Sequence, residues 1–166
     1  MKDLKVLDNG ELIDFVYSEI AGKHIRDRVK DWTQPDQLSI AVDQLNGPVK
    51  TTYLIGVLNQ QVLNGGFQQY YDNRYGRFAY ETLTALKEIK AKNTHDLLRK
   101  SLELINPKGI TNKDFRELII KRNYETNTII EDSLNELDNI YYSLSDMEDI
   151  EQLLGDYLKL RISELK

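Results

Sequence analysis

Asn64-Gly65-Gly66-Phe67-Gln68-Gln69-Tyr70-Tyr71-Asp72-Asn73 is the stretch that sets the fold. It follows an apolar helical pattern over residues 49–63, carried by Val49, Tyr53, Leu54, Val57, Leu58 and Val62. An asparagine followed by two glycines suits a helix end, because glycine takes left-handed backbone angles without a Cβ penalty. The pattern therefore predicts that the helix stops here at a tight corner. Beyond it Phe67, Tyr70 and Tyr71 recur at one-turn spacing, so a short second helix turns its rings into the crevice between two arms. Asn64, Gln69 and Asn73 are expected to satisfy the carbonyl and N–H groups left open at the helix ends.

Downstream, Arg74-Tyr75-Gly76 closes the aromatic helix, and Phe78, Thr82, Ala85, Leu86 and Ile89 mark another. Thr94 is expected to cap a helix with Leu97, Leu98, Leu102 and Ile105 inward, which Pro107 and Gly109 end. Thr111 with Asp114 opens the next helix, which runs on or kinks near Asn123 into a half bearing Ile130, Leu134, Leu137, Tyr141 and Leu144. Ser145 with Glu148 reads as a capping box for a last helix with Ile150, Leu153, Leu154, Tyr157, Leu158 and Ile162 on its stripe.

Upstream, Asp8 and Glu11 suit an N-terminal cap for a helix over about residues 9–30, with Leu12, Ile13, Val16, Tyr17 and Ile20 on one face. Trp32 and Pro35 interrupt the pattern before Leu38, Ala41, Val42 and Leu45, and Asn46-Gly47-Pro48 places proline at the start of the next helix. No stretch keeps a period of two, so the prediction is an all-α protein, one compact multi-helix domain spanning residues 1–166.

A chain of 166 residues buries enough surface to need no staple, and its lack of cysteine excludes disulfides, thiolate metal sites and a cysteine nucleophile. No signal segment and no apolar run of spanning length is present, so a cytoplasmic protein away from membranes is expected. Net charge is −5, the wrong sign for direct nucleic-acid binding. It is unevenly spread: residues 1–50 carry −2, residues 51–124 carry +5 and residues 125–166 carry −8.

Chemistry leaves few marks. The two histidines, His24 and His95, lie outside any metal motif, and no phosphate loop, serine elbow or kinase pattern occurs. No catalytic residue, metal or cofactor is expected. The acidic end supplies the candidate partner-binding residues: Glu125, Asp132 and Glu136 at i, i+7 and i+11 opposite the apolar stripe, then Asp146, Glu148, Asp149, Glu151 and Asp156. If residues 125–166 folded as a two-helix hairpin about 31 Å long, the excess charge would be about one per 4 Å, under half the density of duplex DNA.

The run Val62–Asn73, together with Ala85–Ala91 and Leu137–Tyr142, resembles a bacterial domain-of-unknown-function family typified by a DNA-mimic protein, over about residues 38–160. The resemblance implies a compact helical fold and an acidic surface that occupies the DNA-binding face of a transcription regulator. The leading expectation is thus a non-enzymatic module that binds a protein partner with a basic surface. One alternative is an immunity or antitoxin-type protein that blocks a basic toxin. Another is a small-molecule binder or enzyme with a groove lined by Tyr70, Tyr71, Asn73 and Arg74.

Overall fold

Asp8 opens the first helix as predicted: its side chain accepts the N–H of Glu11, and the Glu11 carboxylate accepts the N–H of Asp8. In the computed structural model, which describes residues 3–165, an unbroken helix runs through α1 (Asn9–Asp14), a π-helical stretch (Phe15–Gly22) and α2 (Lys23–Arg28). The wider π turn changes one step of the buried stripe from four residues to five. Leu12 and Val16 are therefore followed inward by Ala21 and Ile25, and Ile20, expected on the stripe, is only half-buried.

After α3 (Pro35–Asp43) come α4 (Gly47–Asp72), α5 (Ala79–Glu88), α6 (Lys92–Ile105), α7 (Asn112–Ile120), α8 (Thr128–Tyr142) and α9 (Ile150–Leu160). Among the described residues there is no strand, and the protein is all-α as predicted. The helix from Thr111 does break: α7 ends at Ile120, Arg122 turns left-handed at φ 53°, and Asn127 caps α8 by accepting the N–H of Ile130. Glu125 consequently lies before α8, off the helical row it was expected to share with Asp132 and Glu136.

Contacts group the chain into two units, with α4 passing from one into the other. The first comprises the described residues up to Gly56 and those from Ile150 onward. Here α9 packs on α1 so closely that a Cβ on Gly155 would lie 2.3 Å from Asn9 Cγ. The rings of Tyr17 and Tyr53 stack at 5.9 Å.

The second unit is Val57–Asp149, in which α5 packs on α6, α6 on α8, and α7 on the 3-10 turn Tyr75–Phe78. Its core is aromatic, with Phe67, Tyr70, Tyr71, Phe78 and Phe115 all fully buried. Burial of each such ring contributes about 2–3 kcal/mol. The acidic residues 125–166 divide between the units, α8 in the second and α9 in the first.

Candidate functional site

The glycine pair ends the first of the two helices that make up α4, as predicted. Gly65 (φ −167°, ψ 27°) and Gly66 (φ 75°, ψ −179°) leave helical geometry, and a second helix starts at Phe67, so the two halves of α4 meet at a kink. Only Gly66 is left-handed; the φ of Gly65 is extended. A helix restarting at Phe67 has N–H groups with no carbonyl behind them. The N–H of Phe67 donates to Asp138 Oδ1 at 2.7 Å, so α8 supplies the cap from 71 residues away. A Cβ on Gly66 would lie 2.1 Å from Asp138 Oδ2. Gly66 thus serves both the positive φ and the entry of the carboxylate. Burial pushes the Asp138 carboxyl above its usual range, and the Phe67 N–H works against that rise.

The other motif residues lock this junction. Phe67 meets the Tyr141 ring edge-on at 5.8 Å, and the Tyr141 hydroxyl donates to Asn59 Oδ1 at 3.1 Å, so α8 is held on both sides of the kink. Gln61 Oε1 accepts Gln69 Nε2 at 3.2 Å and Asn73 Nδ2 at 2.8 Å, bridging the two halves of α4. Asn64 is exposed. The Ser101 hydroxyl is committed to Leu98 O, so the Tyr71 hydroxyl donates to Ser101 Oγ at 2.8 Å; by the same reasoning Tyr70 donates to Thr82 at 3.4 Å. Burial raises both phenols.

Those bonds overturn the expected groove at Tyr70–Arg74. Tyr70 and Tyr71 are core, and Asp72, beside them, accepts the hydroxyl of Tyr124 on Oδ1 and the Arg122 Nε–H on its carbonyl at 3.0 Å. Each histidine has its own neighbour: His24 is 3.0 Å from Ala41 O in the first unit, and His95 is 3.5 Å from Asp96 in the second.

On α8 the apolar stripe is as predicted, with Leu134, Leu137 and Tyr141 buried. Asp132 and Glu136 are exposed one turn apart. Glu125 and Asp146 are exposed in the flanking segments; among the described residues none of these four carboxylates is engaged in an ion pair. Asp149 is exposed in the second unit, and Glu151 and Asp156 in the first, where Asp156 accepts Gln152 Nε2 at 2.8 Å.

Glu148 has another assignment. Its carboxylate accepts the N–H of Asn93 and of Thr94, each at 2.8 Å, and the Thr94 hydroxyl at 2.7 Å, capping α6. Thr94 is therefore inside the first turn of α6 and is no cap. Ser145 and Glu148 form no capping box for α9: Ser145 sits in the 3-10 turn Leu144–Asp146.

Residues 43–161, more than half of the chain, match the family model described as DMP19-like protein. The chain belongs to the DMP19-like family. No curated protein and no solved structure matches it. The DMP19-like region begins at the end of α3 and takes in the kink, Asp138 and all eight acidic residues expected to bind a partner. Asp138 is the residue that sequence patterns missed. Its signal was its place in the helix: it lies four residues after Leu134 and next to Leu137, on the face that α8 buries.

Proposed function

We propose that this DMP19-like protein is a non-enzymatic interaction module in which the α8 face and its flanking segments take the place of DNA on a DNA-binding protein. The observation that carries this reading is the exposed pair Asp132 and Glu136, free of ion pairs among the described residues and held outward by the buried Leu134, Leu137 and Tyr141. Membership of a DNA-mimic domain family supports it. Among the described residues no helix is long and apolar enough to cross a membrane.

The charge is sparse. The 15 residues of α8 span about 22 Å. Glu131, Asp132 and Glu136 then give about one carboxylate per 7 Å, against one phosphate charge per 1.7 Å of duplex. Recognition therefore depends on where the carboxylates stand, and the partner is a DNA-binding regulator with a small cluster of basic side chains.

Affinity capture from the source lysate, comparing the wild type with Asp132→Lys/Glu136→Lys, tests this. The expected result is a DNA-binding protein held by the wild type, lost by the variant, and displaced from its DNA when the wild type is added. Capture of a basic toxin in its place, or retention of the same protein by the variant, would overturn it.

A further inference from the structure

The outward row of α8 is not all polar. Ile129, Asp132, Glu136 and Ile140 follow one another at helical spacing, so the four side chains lie along one ridge. Ile129 is 78% exposed and Ile140 44%, although the opposite side of the same helix buries Leu134, Leu137 and Tyr141. Folding gains little from isoleucine at such positions, because β-branching makes it a poorer helix former than the glutamate or lysine that suits a solvated ridge. The carboxylates between the two are also uncommitted. No lysine, arginine or histidine occurs between Arg122 and Lys159, so α8 supplies no cation of its own, and neither Asp132 nor Glu136 is in an ion pair among the described residues.

Charge and spacing select the occupant. A second copy of this chain is disfavoured: with two α8 ridges parallel or antiparallel, both apolar pairs form only when the acids also face acids, and like charges placed face to face oppose association. The same two carboxylates repel nucleic acid and anionic lipid surfaces. What fits is a helix of another protein, with two basic residues one turn apart and an apolar residue one turn outside each. Laid along α8, its apolar residues meet Ile129 and Ile140, about 16 Å apart along the axis. Its cations then meet Asp132 and Glu136.

We propose that this ridge docks a single amphipathic helix of that pattern, and that the two isoleucines decide which protein is held as much as the two carboxylates do. The proposal rests on the reading of α8 as the face that takes the place of DNA. It adds that the partner's DNA-facing element is a helix with apolar residues beside its basic ones. A purely ionic contact is indifferent to Ile129 and Ile140; this one buries them.

The test is a titration of the full-length chain with fluorescein-labelled, stapled alanine-based helices, followed by anisotropy. The first probe carries two arginines one turn apart with a leucine one turn outside each; the second has alanine for the leucines, and the third has glutamine for the arginines. Saturable binding of the first is expected, with the second and third each about tenfold weaker or more. Ile129→Gln and Ile140→Gln should each weaken the first probe about tenfold and leave the second unchanged, while melting with the wild type, because glutamine suits an exposed helical position. No saturable binding of the first probe, equal binding of the first two, or isoleucine variants that bind as the wild type does would overturn the proposal. Affinity capture with Ile129→Gln/Ile140→Gln separates it from the reading beneath it, and loss of the DNA-binding protein is expected. Retention by this variant together with loss by Asp132→Lys/Glu136→Lys would overturn the role of the isoleucines and leave the DNA-replacing face standing; retention by both variants would overturn both.

Discussion

At the scale of single residues, the junction between the two halves of α4 depends on one atom that is missing. A Cβ on Gly66 would meet the Asp138 carboxylate at 2.1 Å in a left-handed backbone, whereas a Cβ on Gly65 would meet the Gln69 side chain, whose flexible end can move aside. Gly66→Ala should therefore cost about 2–4 kcal/mol, the sum of left-handed strain and overpacking. Gly65→Ala should cost clearly less. Urea denaturation of the two variants checks the order, and equal losses would remove the Asp138 contact from the account. Asp138 also gives the protein a pH signature. Burial raises its carboxyl, so the folded state holds that proton more tightly than the unfolded chain does, and the stabilisation is complete only below the ordinary value of 3.8. The stability of the wild type relative to Asp138→Asn should accordingly fall as pH rises from 3.8 through the raised folded value, and level off above it. Denaturation midpoints of both proteins across acid pH measure that difference; a difference that grows with pH would mean that the Phe67 N–H outweighs burial. The need for a left-handed glycine was legible in Asn64-Gly65-Gly66, because it is a local backbone property. The identity of the capping acid was not, because the partner is 71 residues away and periodicity carries no information about which buried helix face meets which helix end.

Among the helices, interiors were legible and several ends were not, for a related reason. Buried positions such as Leu97, Leu98 and Leu102 of α6 repeat at the helical period, and the fold honours that repeat. Ends are chosen by competition among donors and acceptors, and the nearest candidate in sequence does not always win. Asp8 with Glu11 and Thr111 with Asp114 behave as local caps. At α6 the local candidate Thr94 loses to Glu148, which reaches from 54 residues away for Thr94 and accepts three hydrogen bonds with one carboxylate. The break between α7 and α8 is of the same kind: Arg122 and Tyr124 both bond to Asp72 at the end of α4, a gain that a continuous helix through Asn123 would forgo. Glu148→Ala should cost about 1–2 kcal/mol by stripping the α6 N-terminus of its acceptor. Hydrogen exchange should quicken at Asn93 and Thr94 and stay unchanged at Glu11, whose cap is separate. Protection retained at Asn93 and Thr94 would mean that another group caps α6.

For the molecule as a whole, net charge is a poor guide to binding because the acids divide between the two units and serve different ends: Asp138 and Glu148 are consumed by helix termini, while Asp132 and Glu136 remain exposed on α8. If affinity for a DNA-binding partner came from bulk potential, every exposed acid would count alike. If it comes from placement, the two α8 carboxylates dominate. Asp132→Asn/Glu136→Gln should then weaken the captured partner more than about tenfold, or 1.4 kcal/mol. The same loss of charge at Glu151 and Asp156, in the other unit, should change it less than about twofold. Salt provides a second measure. A protein that contacts 6–10 phosphates loses about a thousandfold or more in DNA affinity between 50 and 200 mM salt. Two or three carboxylates cannot support so steep a dependence, so the partner should release this protein with only about a tenfold loss over the same range. Titrations of the purified pair at both salts decide between the two: a thousandfold loss, or equal effects of the two double variants, would put the contact on the extended acidic surface instead of on α8.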